Sequence, residues 1–379
     1  MNIENFLKNN LDKKNREYSL RQLKKKSLRY DFCSNDYLGL ARSAELYEAF
    51  IEKLSKDKIP RLGSTGSRLI SGNSETAENL EKKLSEYFLS ESALLMNSGY
   101  HANLGLLSCI AKKSDTIFFD ERCHASTRDG IRLSEAKSYS YKHNDIENLE
   151  KKMSLCAKGN IFIITEALFS MDGDFAKLKD ITRISEKYSA SVIIDEAHST
   201  GILGEKGRGL TCAMNLEDKV FARVHTFGKS AGSFGACILG SKQLRDYLIN
   251  NSRAFIFTTA LPYFNLTAID CAIDKLKESD AERILLEQNI EYFRARIPEN
   301  LTEYFLESYS PIQGFLMEGS QKIKKVADFL KNKDLDVSAI LHPSVPKGKE
   351  RIRLTLHSFN TEKEINHLME TFSESLKKL

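Results

Sequence analysis

The chain has 379 residues, of which 41% are hydrophobic and 28% charged, with a net charge of +4. At roughly 150 residues per domain this length holds two to three globular domains, and so small a charge, without a zinc-knuckle or RNP-like motif, excludes nucleic acid as the partner. No window reaches the ~20 apolar residues of a membrane span, and residues 1–10 lack the apolar core of a signal peptide, so no membrane attachment is expected.

Residues 1–45 read as an N-terminal helical segment. Its Arg21 and Lys24-Lys25-Lys26 are either a solvated helix face or a patch that attracts an anionic substrate such as a coenzyme A thioester. Residues 46–265 follow as a large domain. Helical patterns over 75–89, 103–112, 126–134 and 178–188 alternate with strand patterns over 92–96, 116–119, 137–141, 161–165 and 191–194. That alternation predicts an α/β fold with a mostly parallel central sheet flanked by helices. The run Ile161-Phe162-Ile163-Ile164 fits a strand covered on both faces. The pattern is helical from Pro262 to about Pro298, and residues 266–379 read as a smaller α+β domain with strands over 312–317 and 351–356. Seven scattered cysteines without a C-x-x-C pair predict neither a disulfide framework nor a zinc site, and fit a reducing cytoplasm.

The chemistry gathers at strand ends. The apolar run 191–194 ends in Asp195, and His198 follows three residues on. A second β-rich run, 220–227, ends in a small-residue turn carrying Lys229. Pyridoxal phosphate needs such a set: an amine for its aldehyde, an acid on its ring nitrogen and a donor at its phenolic oxygen. Each residue alone has a plainer reading: Lys229 as a solvent-exposed helix start, Asp195 as a helix N-cap, His198 as a satisfied strand-end histidine. Ser98-Gly99-Tyr100 follows a strand and opens a helix, where backbone N–H groups hold phosphate; Thr226 and Ser230 add hydroxyls. His124, after another strand, is either a turn histidine or an imidazole that stacks on a pyridine face. Glu166 lies just past 161–165, placed to order the site through hydrogen bonds. Gly63-Ser64-Thr65-Gly66-Ser67-Arg68 lacks the preceding strand of a dinucleotide loop and reads as a substrate loop. Arg351-Ile352-Arg353-Leu354-Thr355 is either an exposed strand face or a carboxylate grip.

Ser34-Asn35-Asp36-Tyr37-Leu38-Gly39-Leu40, the loop at 63–68, Ser170-Met171-Asp172-Gly173-Asp174, Asp195-Glu196-Ala197-His198 and Thr226-Phe227-Gly228-Lys229 together resemble the α-oxoamine synthases, fold-type I pyridoxal-phosphate enzymes. The resemblance runs in matching order from about Arg21 to the C-terminus. It implies a decarboxylative condensation of an amino acid with an acyl-CoA or acyl-carrier-protein thioester. L-alanine with a pimeloyl thioester is the favoured pair; glycine with acetyl-CoA and serine with a long acyl-CoA are alternatives. An aminotransferase and a non-catalytic partner subunit are the more distant ones. By resemblance, Lys229 is the Schiff-base and acid–base residue, Asp195 the pyridinium partner, His198 the phenolic-oxygen donor and His124 the stacking ring. Ser98, Gly99, Tyr100 and Thr226 form the phosphate cup, Arg353 anchors the amino-acid carboxylate, and Arg21 and Ser67 face substrate. Asn35 reaches the neighbouring subunit's site and Thr258-Thr259 the neighbour's phosphate, which implies a homodimer with shared sites. Ala77 stands where many members carry a histidine.

Overall fold

The computed structural model describes residues 2–23, 29–56 and 62–378; Lys24-Lys25-Lys26 lie outside the described residues. The chain forms two compact units. One comprises Leu38–Ser170 and Phe175–Arg283, the other Met1–Tyr37, Met171–Asp174 and Ile284–Leu379.

The larger unit is built on a seven-stranded sheet of β1 (Ser92–Met96), β2 (Thr116–Asp120), β3 (Lys137–Tyr141), β4 (Ile161–Glu166), β5 (Ser191–Asp195), β6 (Ala222–Thr226) and β7 (Ala236–Gly240). Their order is β1-β7-β6-β5-β4-β2-β3. All neighbours are parallel except β7, which runs against both β1 and β6. Strand β1 therefore points the same way as β6, and the C-terminal ends of six strands share one edge. In open α/β sheets that edge is where ligands bind.

Alternation along these strands divides the core between two faces. Ile117, Phe162, Ile164, Ile193 and Val224 pack on one side with Leu106 and Leu107. Phe118, Ile163, Val192 and Ile194 pack on the other with Ile181 and Ile184. Both faces are dry, which is why β4 and β5 read as continuous apolar runs; each such side chain fully buried stabilises the fold by about 1.5–3 kcal/mol. The covering helices include α1 (Glu75–Tyr87), α2 (Gly99–Ile110), α3 (Ala125–Leu133) and α4 (Leu178–Tyr188).

The units divide at Leu38 and Ile284 rather than at 46 and 266. Helix α5 (Tyr263–Glu278) explains the later break. It buries Leu266, Ile269, Ala272, Ile273 and Leu276, packing on α1 and on the helix Ala44–Ser55. Lys83 Nζ also donates to the Asp270 carbonyl at 2.9 Å, so the helix is committed to the larger unit.

The smaller unit holds an antiparallel sheet of β8 (Ile312–Leu316), β9 (Ser338–Ile340) and β10 (Arg351–Thr355), in the order β9-β10-β8. Helices Ser320–Lys331 and Glu362–Leu376 contribute buried Ile323, Val326 and Leu330, and Ile365, Leu368 and Phe372. Tyr30–Asp31 pairs in parallel with Leu335–Asp336. The N-terminal helix Ile3–Arg16 buries no residue. Among the described residues no helix is long and apolar enough to cross a membrane, and no group of three or more His, Cys, Asp or Glu is placed to hold a metal.

Candidate active site

Five turns at the shared sheet edge carry candidate residues of the larger unit. Ser98 caps α2, its Oγ accepting from the His101 N–H at 3.2 Å. The first N–H groups of a helix have no intrahelical partner and suit an anion. Gly99 faces β6, where a Cβ would stand at ordinary contact distance, 3.4 Å, from Thr226 Cβ. His124 caps α3 after β2. Glu166 and Asp195 end β4 and β5 as register partners. His198 is buried in the turn after β5. Lys229 sits half-buried in the turn after β6, which closes through the Gly232 N–H to the Lys229 carbonyl at 2.8 Å. Gly201, at φ +84, brings the His198 turn onto the Lys229 turn: a Cβ there would stand 2.7 Å from Ser230 Cβ.

The charges act on one another. Burial pushes the Glu166 carboxyl up to about 8, with the Asp195 charge adding to the rise; Lys229 and the backbone N–H groups of His124 and Ser170 pull the other way. Desolvation by the surrounding protein and the Lys229 charge hold the His124 imidazole below its usual value, against Asp195 and Asp129. The His124 ring is exposed to solvent and lies edge-on to Tyr100 at 6.4 Å. Tyr100, itself exposed, donates to Asp129. Asp195 is buried, with Oδ1 accepting from the Ala197 N–H at 2.9 Å and Oδ2 from Asn103 Nδ2 at 2.7 Å. Two buried atoms of this edge, Glu166 Oε1 and Ser230 Oγ, have no hydrogen-bond partner among the described residues. An amine, an acid, two imidazoles, a helix N-terminus and unpartnered polar atoms at one edge are a donor set that fits pyridoxal phosphate.

Sequence reasoning missed three side chains here. Asn103 and Ser126 join Asp195 to His124, and Asn97 Nδ2 donates to Thr258 Oγ1 and to the Thr259 carbonyl, each at 3.0 Å. The second contact ties the Thr258-Thr259 stretch to the Ser98 turn of the same chain. Asn103 had a readable signal: it shares the buried face of α2 with Ala102, Leu106 and Leu107, where a polar group needs a partner. Ser67 leads into the turn Arg68–Gly72, its carbonyl accepting from the Gly72 N–H at 2.9 Å.

The remaining predicted residues belong to the smaller unit. Neither arginine of β10 lies on an exposed face: Arg351 and Arg353 are 4% and 8% exposed. Arg351 pairs with Asp172, while Arg353 donates to Asn35 Oδ1 and to Thr355 Oγ1, each at 2.9 Å. Asn35 thus meets Arg353 of its own chain. Gly173, at φ +75, allows the Asp172 segment to approach β8, since a Cβ would stand 2.1 Å from the Ile312 carbonyl oxygen. Tyr37 is wholly buried, and that burial pushes its hydroxyl up to about 12 despite the nearby Arg353 charge. Arg21 is exposed and donates to Ser344 Oγ at 2.9 Å.

Residues 30–372 match the family model for aminotransferases of class I and II, and the chain belongs to that family. Within it, the chain is 36% identical to 8-amino-7-oxononanoate synthase of Marinobacter nauticus, covering 91% of this chain and 86% of that protein. The fold is similar to that of 8-amino-7-oxononanoate synthase from Francisella tularensis, with a TM-score of 0.78 and 29% identity over 93% of this chain and 98% of the other. It is also similar to a Sphingomonas wittichii serine palmitoyltransferase (SPT), with a TM-score of 0.85 and 26% identity over 92% and 87%. An SPT structure with pyridoxal phosphate gives the same values.

Proposed function

We propose that the chain is a pyridoxal-phosphate-dependent acyltransferase that makes 8-amino-7-oxononanoate in biotin synthesis, from L-alanine and a pimeloyl thioester of coenzyme A or a carrier protein. The observation that carries this reading is that Asp195, Lys229 and His124 sit at or just past the C-terminal ends of β5, β6 and β2 on one sheet edge. The identity to 8-amino-7-oxononanoate synthase over most of the chain supports the particular reaction.

When bound, pyridoxal phosphate supplies an aldehyde that joins the substrate amine and a protonated ring that stores an electron pair. Lys229 Nζ would hold it through its aldehyde carbon and would act as the base that moves the proton from the amino-acid Cα. Asp195 would hold the ring nitrogen, His198 would donate to the phenolic oxygen, and His124 would cover the ring. Ser98, Gly99, Tyr100 and Thr226 take the phosphate, and Thr258 and Thr259 that of a second subunit. Arg353 takes the amino-acid carboxylate, with Asn35, Ser67 and Arg21 toward the substrates. Burial raises the proton affinity of Glu166 beside Asp195. Cα bonds to the thioester carbonyl carbon as the thiolate leaves and takes up a proton; the carboxylate then departs as carbon dioxide, and Cα takes a proton in its place.

A homodimer belongs to the same reading, supported by exposed Leu62, Ile70 and Phe257 in the larger unit, at 89%, 85% and 71% exposure. The cytoplasm suits its seven free cysteines. Ala77 favours a second pair of substrates as the comparison to make. It is buried beside Arg68, Asn97 and Thr258, where the family resemblance implies a histidine, and glycine with acetyl-CoA is the alternative. The test is to load the purified protein with pyridoxal phosphate, offer alanine, glycine or serine with each thioester, and identify products by mass. Product from alanine and a pimeloyl thioester is expected; product from glycine and acetyl-CoA alone would overturn the assignment.

A further inference from the structure

We infer that Asn103 and Ser126 form a polarised bridge through which the charge of Asp195 sets the tautomer of His124, making Asn103 a positioning residue for both. The inference rests on the proposed roles of Asp195 and His124 and adds how they are coupled. Asn103 lies on α2 and is 3% exposed. Its Nδ2 donates to Asp195 Oδ2 at 2.7 Å and to Ser126 Oγ at 3.0 Å. An amide nitrogen has two protons, and both are used.

The orientation follows from charge. Turned over, the amide would set its oxygen against the oxygen of a buried carboxylate, two acceptors face to face. Asp195 therefore directs the NH2 group inward. Ser126 Oγ accepts one of those protons and is left with its own hydroxyl proton, 2.8 Å from His124 Nδ1. The Ser126 backbone N–H reaches the same nitrogen at 3.2 Å. With two donors aimed at it, Nδ1 keeps its lone pair and the ring carries its proton on Nε2. The helices are close enough because α3 has Gly130 where they cross: a Cβ there would stand 2.9 Å from the Asn103 carbonyl oxygen and from Leu107 Cβ.

The groups facing His124 act in the same sense or are accounted for. Lys229, from the turn after β6, opposes a positive ring; Asp195 on β5 and Asp129 on α3 favour one. Glu166 on β4 is held neutral by burial, and Tyr100 on α2 keeps its proton through its bond to Asp129. A neutral ring with a fixed N–H can lie on a protonated pyridine without adding a second positive charge.

The test begins without cofactor. The eight histidines are labelled with 15N, and His124 is assigned by the signal lost in His124→Gln. Wild-type His124 is expected as one tautomer, proton on Nε2, at and above pH 7. Ser126→Ala should mix the tautomers. Asn103→Asp, nearly isosteric, should take up a proton on the oxygen facing Asp195, accept from the Ser126 hydroxyl with its other oxygen, turn the Oγ lone pair toward the ring and move the ring proton to Nδ1. Loaded with pyridoxal phosphate, both variants should lose about tenfold in kcat, the loss typical for an outer partner of a functional histidine, with KM for the amino acid within about twofold. A wild-type proton on Nδ1, an unchanged tautomer in both variants, or an unchanged kcat overturns the inference. Failure of the wild-type protein to bind the cofactor would instead overturn the functional reading, and the tautomer measurement would still stand.

Discussion

Glu166 and Asp195 are register partners at the ends of adjacent parallel strands, both buried, with a raised affinity for protons at Glu166. The folded chain keeps the Glu166 proton until about pH 8, while the unfolded chain releases it near the ordinary value of 4.5. Between those values the folded state binds more protons, so this group lowers stability as pH rises. Below 4.5 both states hold the proton and the cost vanishes; above about 8 it is complete. Glu166→Gln removes the titration and can still accept the backbone N–H bonds. The variant should therefore gain on wild type from pH 5 to pH 8 by a few kcal/mol, since a tenfold change in proton affinity is worth about 1.4 kcal/mol. Urea midpoints of the cofactor-free proteins measure it, and a pH-independent difference would count against the buried neutral carboxyl.

Lys229→Ala should keep the fold and lose both the visible absorption of bound cofactor and product formation. Lys229→Arg should fail equally, because a guanidinium stays protonated and neither joins an aldehyde nor takes a proton. Proton transfer alone is worth ~10²–10⁴-fold, so residual turnover above a hundredth of wild type would remove Lys229 from its role.

Gly201→Ala strains a backbone at φ +84 and drives a methyl group into Ser230. The expected cost is about 1–3 kcal/mol, read as a lower melting temperature. The displaced Lys229 turn should also bind pyridoxal phosphate more weakly. A variant with wild-type melting and wild-type cofactor titration would show that the two turns do not depend on this close approach.

The two arginines of β10 should separate cleanly. Arg351→Ala removes the buried ion pair to Asp172, at a cost of up to about 3–5 kcal/mol of stability, with little change in KM for the amino acid. Arg353→Lys should lose the planar two-point grip on a carboxylate that the proposed role requires. Hydrogen bonds to charged groups contribute about 1.5–3 kcal/mol, so KM should rise by roughly 10–100-fold while cofactor affinity holds. Steady-state kinetics beside urea unfolding distinguishes the two effects.

Much of the site was legible because it falls where pattern changes. Asp195 ends an apolar run and Lys229 follows a β-rich one, and continuous apolar runs are what a doubly covered strand looks like. β7 carries a short apolar run too, but little else that marks it. Ala236–Gly240 is short, follows Gly235 and contains Ala and Cys; its identity as a strand comes from pairing on both sides with β1 and β6, which no local propensity records. Arg351 and Arg353 alternate with apolar residues as an exposed strand face does, yet both are buried, because Asp172 and Asn35 arrive from elsewhere in the chain. The same holds for Asn103 and Ser126, whose bond crosses between helices.

Tyr30 pairs with Leu335, and Ser34 Oγ lies 3.2 Å from His357 Nε2, 323 positions later. A ribosome releases the first of these residues long before it makes the second. The leading segment must wait, without its strand partner, until nearly the whole polypeptide has emerged. Loop-closure entropy makes such late, distant pairings slow, so the smaller unit is completed last, and a nascent chain stalled before residue 335 has no way to finish it.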